Sequence, residues 1–196
     1  MRATNIRPEN ATLTYSLNLL ENRRAFWSLQ ILSIAGFGIF GVLFVWWTIY
    51  VRPDWLQLFS RRIAIRVWDV FLVALIFVVF IGLHELIHGA FFWIFSHSRP
   101  RFGIGGGYAF AAAPGWFFPR GQYLIVALAP LVILSLLGMA LVAIVPVTGV
   151  TGILLGMVTN ASGAVGDMWI VYRLLREGNN IVVEDLGDGI KIYALP

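Results

Sequence analysis

Residues 26–50 read FWSLQILSIAGFGIFGVLFVWWTIY, without one charged side chain. A run of that length and character suits lipid rather than water, because a helix crossing the hydrocarbon core needs roughly 20 mostly apolar residues. Three further segments qualify, at about 67–95, 121–145 and 150–172. Lipid offers backbone amides no partner, so spanning segments must be helices. The expected fold is therefore an all-α membrane protein with four transmembrane helices. Composition agrees: 59% of the 196 residues are hydrophobic and 12% charged, against about a quarter charged in a soluble domain. The chain has no cysteine, which excludes disulfides and thiolate metal sites. Its net charge of +4 comes from arginines flanking apolar segments, a pattern of membrane orientation rather than of nucleic-acid binding. The first 25 residues are polar and contain Pro8. They do not read as a removable signal peptide, so the first apolar segment is expected to act as an uncleaved insertion signal.

Orientation follows from Lys and Arg. Arg2, Arg7, Arg23 and Arg24, the loop arginines Arg99, Arg101 and Arg120, and Arg173, Arg176 and Lys191 of the tail fall on one side. Only Arg52, Arg61, Arg62 and Arg66 oppose them. The positive-inside bias puts both termini in the cytoplasm of a multi-pass protein of the plasma (inner) membrane. Trp27, Trp93 and Trp169 would mark the inner interface, and Trp46, Trp47 and Trp68 the outer one. Residues 101–118, RFGIGGGYAFAAAPGWFF, are too rich in glycine and too irregular for a helix. They are expected to form an extended hairpin or re-entrant segment on the cytoplasmic side. The tail, IVVED then Gly-Asp-Gly then IKIYAL, reads as a short C-terminal β-hairpin. Three regions result: a cytoplasmic N-terminal segment 1–25, a transmembrane core 26–172 and a cytoplasmic tail 173–196.

The chemistry lies in the second segment. His84, Glu85 and His88 form HELIH inside a continuous apolar helix. The i, i+4 spacing puts both imidazoles on one face, one turn apart, able to bind one Zn²⁺. Glu85 lies next to that face and can serve as general base toward a water activated at the metal. Charge at mid-bilayer costs about 2.5–3.5 kcal/mol on insertion scales. Three ionisable groups within five residues therefore make poor packing and a plausible metal site.

A catalytic zinc typically has three protein ligands. Asp167, in TNASGAVGDMW, is the best third candidate. His84 lies 17 residues after Val67, and Asp167 lies 17 after Val150. At 1.5 Å per residue both stand roughly 25 Å into their helices, near the cytoplasmic end. The small residues around Asp167 would permit close approach or local unwinding. The alternative for Asp167 is pairing with Arg173 or Arg176. His97 reads as an interfacial histidine, Glu184 and Asp185 as solvated tail residues, and Asp69 as a partner or cap for Arg66. Asn160, two turns from Asp167, could position a substrate backbone or make an interhelical hydrogen bond. Pro130 implies a kink in the third segment.

HELIH in a membrane helix, a glycine-rich extended segment after it and an Asn…Asp motif on a later helix together resemble the site-2-protease class of intramembrane metalloproteases. YAFAAAPGWF, YLIVALAPLVIL and NASGAVGD are similar to the small bacterial family called putative zincin peptidases. The resemblance, over roughly residues 80–172, implies His84, His88 and Asp167 as ligands of one Zn²⁺ and Glu85 as general base. It also implies that 101–118 offers a sheet edge to an extended substrate, with Gly106 and Tyr108 as positioning candidates beside Asn160. Site-2 proteases usually carry a proline between the Asn and the Asp and a glycine after the Asp; here the motif ends Gly166-Asp167-Met168.

The expected function is an intramembrane zinc metalloprotease acting on membrane-protein or peptide substrates near the cytoplasmic face, with the lipid bilayer and substrate as partners and no nucleic acid. The alternative is a zinc-binding chaperone, sensor or scaffold that does not cut. Retention of Glu85 argues against it, since a structural site needs no base. A metal transporter would need polar residues along segments one and three, which offer few. A haem protein is disfavoured because an i, i+4 pair cannot bind opposite faces of one iron.

Overall fold

The computed structural model describes residues 1–60, 66–105 and 108–196. In chain order it comprises β1 (Thr12–Asn18), α1 (Arg23–Val51), a 3-10 helix (Pro53–Ser60), α2 (Val67–Ser96), β2 (Arg101–Gly105), β3 (Tyr108–Ala112), β4 (Phe117–Pro119), α3 (Arg120–Ile144), α4 (Val147–Gly163), α5 (Val165–Arg176), β5 (Ile181–Asp185) and β6 (Gly189–Ala194). Helices α1, α2 and α3 are each long and apolar enough to cross a membrane. Many of their large apolar side chains point outward, among them Ile34, Val42, Val70, Leu75 and Leu136. A water-soluble fold would bury such residues.

Helix ends are satisfied locally. Asn22 Oδ1 accepts the Ala25 N–H at 3.0 Å and caps α1. The Arg66 N–H donates to Asp69 Oδ2 at 2.7 Å at the start of α2, the capping role expected of Asp69. The Arg52 guanidinium donates to the carbonyls of Val142 (3.2 Å) and Val145 (2.7 Å), closing the C-terminal end of α3.

Two compact units emerge. One comprises Met1–Gln30, Glu85–Pro130 and Gly166–Pro196. It holds a four-stranded antiparallel sheet in the order β1-β6-β5-β4 and a separate hairpin of β2 and β3. Its main core gathers Phe92, Phe118, Tyr123, Val126, Leu174, Val183 and Ile192. The other comprises Ile31–His84 and Leu131–Val165, cored by Phe44, Trp55, Val142, Val150, Met157 and Ala161. Here small residues let helices meet. A Cβ on Gly156 would stand 2.0 Å from the Phe80 ring, and one on Gly138 2.3 Å from the Met157 side chain. Such close approach is typical of membrane helices.

Three expectations change. The fold is mostly helical but not all-α. The N-terminal segment is not a plain polar lead-in, since Thr12–Asn18 pairs along β6 and extends the tail hairpin into a larger sheet. Alternation of Leu13, Tyr15 and Leu17 with polar neighbours was the available signal. The fourth segment is two helices: α4 and α5 break at Ala164 and bend by 41°. The extended reading of 101–118 holds as β2, β3 and β4, with β4 joining the main sheet.

Candidate metal centre

His84 and His88 sit one turn apart on α2, both buried, at 8% and 7% exposure. Each ring is held by its Nδ1. His84 Nδ1 lies 2.9 Å from Asn160 Oδ1, and His88 Nδ1 lies 3.0 Å from the Val126 carbonyl oxygen. Both partners are acceptors, so each Nδ1 carries the proton and donates. That leaves Nε2, on the opposite side of each ring, as the nitrogen that would face a metal.

Asp167 completes the cluster. Its Oδ2 lies 3.4 Å from His88 Nε2. The break at Ala164 restarts the helix, so Asp167 falls in the first turn of α5, where a carboxylate is favoured by the helix dipole. The alternative partners are occupied elsewhere. Arg173 pairs with Glu177 at 2.7 Å and lies over the Tyr15 ring, and Arg176 lies over Tyr172.

Ligating atoms of His84, His88 and Asp167 all lie within 4.8 Å of one another, and among the described residues this group could hold a metal ion. The donor set fits zinc. Ligands about 2.0–2.1 Å from a tetrahedral ion stand about 3.3–3.4 Å apart, the separation His88 and Asp167 already have. Glu85 follows His84 on the same turn and is half-buried. His97 lies outside the cluster, at the end of α2 with a left-handed φ of 53°.

The hairpin is anchored beside this turn. A Cβ on Gly89, the residue after His88, would come 2.4 Å from the Phe102 ring of β2. At the other end, Gly187 of the β5–β6 turn (φ +86°) packs against Phe110 of β3. Tyr108 opens β3 opposite Gly105, and its buried hydroxyl has no hydrogen-bond partner among the described residues. Burial and the charge of Asp188 push that phenol above its ordinary value. Gly106 lies outside the described residues.

Two acids read from sequence as solvated are engaged. Glu184 accepts the Gly115 N–H at 3.3 Å and the Tyr193 hydroxyl at 3.2 Å. Asp185 accepts the Tyr123 hydroxyl at 2.5 Å and the Gly187 N–H at 2.8 Å. Burial pushes the Asp185 carboxyl up to about 6, with the Tyr123 and Gly187 bonds opposing, and His88 and Asp167 are among its charge neighbours. Nothing in the tail's sequence points to α3. Only the closing of the sheet brings the two together.

A model of the family described as putative zincin peptidase matches residues 75–182, more than half of the chain. The chain belongs to that family. Membership of that family suggests a zinc metallopeptidase, and the matched stretch contains His84, Glu85, His88 and Asp167. No curated protein and no solved structure gives a significant match.

Proposed function

We propose that this protein is an intramembrane zinc metalloprotease of the site-2-protease type, with His84, His88 and Asp167 as zinc ligands and Glu85 as general base. One observation carries the reading: two buried histidines on a helix apolar enough to span a bilayer have ligating atoms within 4.8 Å of each other and of an Asp167 oxygen from α5. When bound, zinc would supply Lewis acidity and bring the pKa of a coordinated water towards 7.

The chain's own residues then have defined tasks. Asn160 and the Val126 carbonyl hold the two imidazoles in the ligating tautomer. Glu85 takes the proton of the attacking water and passes it to the leaving amine. The β2–β3 hairpin, seated against Gly89, offers strand edges to a substrate that must be extended, because a helix shields its own peptide bonds. Tyr108 on β3 is a substrate-positioning candidate, as is Gly106. The Oδ1 of Asn160 on His84 favours support of the metal ligand over direct contact with substrate.

The sheet supports the topology. Pairing of β1 with β6 and of β4 with β5 supports a topology in which the N-terminus, the α2–α3 connection and the tail share one face of the membrane. The arginine bias supports a cytoplasmic assignment for that face.

The test is zinc content beside cleavage of a membrane-embedded peptide substrate. Glu85→Gln is expected to retain zinc and to lose at least about 100-fold in cleavage rate. His88→Ala is expected to lose both. Unchanged cleavage by Glu85→Gln would remove Glu85 from the mechanism. A purified wild type without zinc would remove the centre.

A further inference from the structure

We infer that Pro130 is a positioning residue of the metal centre: by withholding its own N–H, it leaves the Val126 carbonyl to accept the His88 Nδ1 proton. The inference rests on the zinc reading of His84, His88 and Asp167 and adds what sets the orientation of one ligand.

In an α-helix the carbonyl of residue i is filled by the N–H of residue i+4. Residue i+4 from Val126 is Pro130, inside α3. Proline has no N–H, and its ring also crowds the carbonyl four residues before it, tilting that oxygen away from the helix axis. Val126 is 1% exposed and part of an apolar core with Phe92, Phe118 and Tyr123. Water cannot readily fill the gap there, and an unfilled buried carbonyl costs about 1–3 kcal/mol. The partner the structure supplies is His88 Nδ1 at 3.0 Å.

The exchange serves both groups. A ligating imidazole needs an acceptor on its other nitrogen to fix tautomer and ring orientation. His84 obtains one from a side chain, Asn160 Oδ1 at 2.9 Å. His88 has a backbone oxygen instead, which no substitution at position 126 removes. The residue that controls its availability is four positions on. A proline here thus does more than bend the third segment: it makes one helix present an acceptor to another. Ser96, Thr159 and Ser162 spend their hydroxyls on nearby carbonyls of their own helices. The Val126 carbonyl is instead met from a different helix.

The test separates loss of the N–H from loss of the ring. Pro130→Ala restores a donor at the i+4 position and permits an ordinary helix. Replacing Pro130 with the α-hydroxy acid analogue of alanine, by nonsense suppression, removes the ring yet leaves an ester with no N–H. Zinc affinity by chelator competition is expected to fall about 10–100-fold for Pro130→Ala and to remain within a few fold of wild type for the ester. Equal affinity for alanine and ester would overturn the proposal. A second readout needs no metal. Ring nitrogen-15 shifts of His88 in the zinc-free protein should report a protonated Nδ1 in wild type and in the ester, and a mixed tautomer in Pro130→Ala. A wild-type His88 whose Nδ1 carries no proton, with the neutral ring protonated on Nε2 alone, overturns the proposal whether or not zinc binds. A wild type with the Nδ1 tautomer that takes up no zinc overturns the metal centre instead.

Discussion

His84 and His88 are four residues apart on one helix but held by different kinds of acceptor, and this decides how each can be perturbed. The His84 acceptor is the Asn160 amide, which a substitution can delete. Asn160→Ala should weaken zinc binding about 10–100-fold in chelator competition, while Asn160→Asp, which keeps an acceptor oxygen, should restore most of it. Asp185 makes a different prediction. Folding raises its carboxyl from an ordinary 3.8 to about 6, chiefly through burial. Between those values the native state holds a proton that the unfolded chain has released. Stability from this group is therefore full below about pH 4 and is lost as pH rises through about 6. Melting temperatures of zinc-free protein in detergent across pH 4–7 should show this decline, and Asp185→Asn should flatten it. An unchanged slope in the variant would assign the decline to other groups.

Among the elements, α4 and α5 show how small residues set the site's reach. Glycine at 156 lets α4 approach Phe80 of α2 closely. Gly156→Leu should lower stability by about 1–3 kcal/mol through overpacking. Gly163→Ala, where an added Cβ meets nothing within 4 Å, should be nearly silent in the same melting experiment. The break at Ala164 matters more for chemistry. A straight helix through 150–172 would give Asp167 no N-terminal turn to occupy, whereas the restart places it in the first turn of α5. The β5–β6 turn depends on Gly187, whose φ of +86° and contact with Phe110 both oppose a side chain. Gly187→Ala should lower the melting temperature, with backbone strain costing about 1–2 kcal/mol and the clash with Phe110 adding to it.

For the whole molecule, the decisive expectation is topological. Strands before α1, between α2 and α3, and after α5 share one sheet, so the proposed membrane arrangement requires an even number of crossings between them. The absence of native cysteine makes this simple to check with single replacements labelled by a membrane-impermeant thiol reagent. Ser98→Cys and Asp188→Cys should react from the same side, and Gln57→Cys only from the other. Labelling of all three from one side would remove the four-crossing arrangement.

Sequence alone determined the apolar character of the helices and the HELIH pair, and it pointed to Asp167, which the fold brings beside them. Those features depend on local length, periodicity and chemistry, and HELIH needs only one helical turn to bring its histidines together. Matching depths along two apolar segments were enough to single out Asp167. The same reasoning could not find β1, whose partner lies 178 residues away at the Thr14–Ile192 contact. Nor could it find the engagement of Asp185 by Tyr123, or the meeting of His88 with the Val126 carbonyl. Those contacts join segments with no sequence relation, so only packing selects them. The sequence supplied the groups that the proposed centre uses, and the tertiary structure supplied the acceptors that orient two of them.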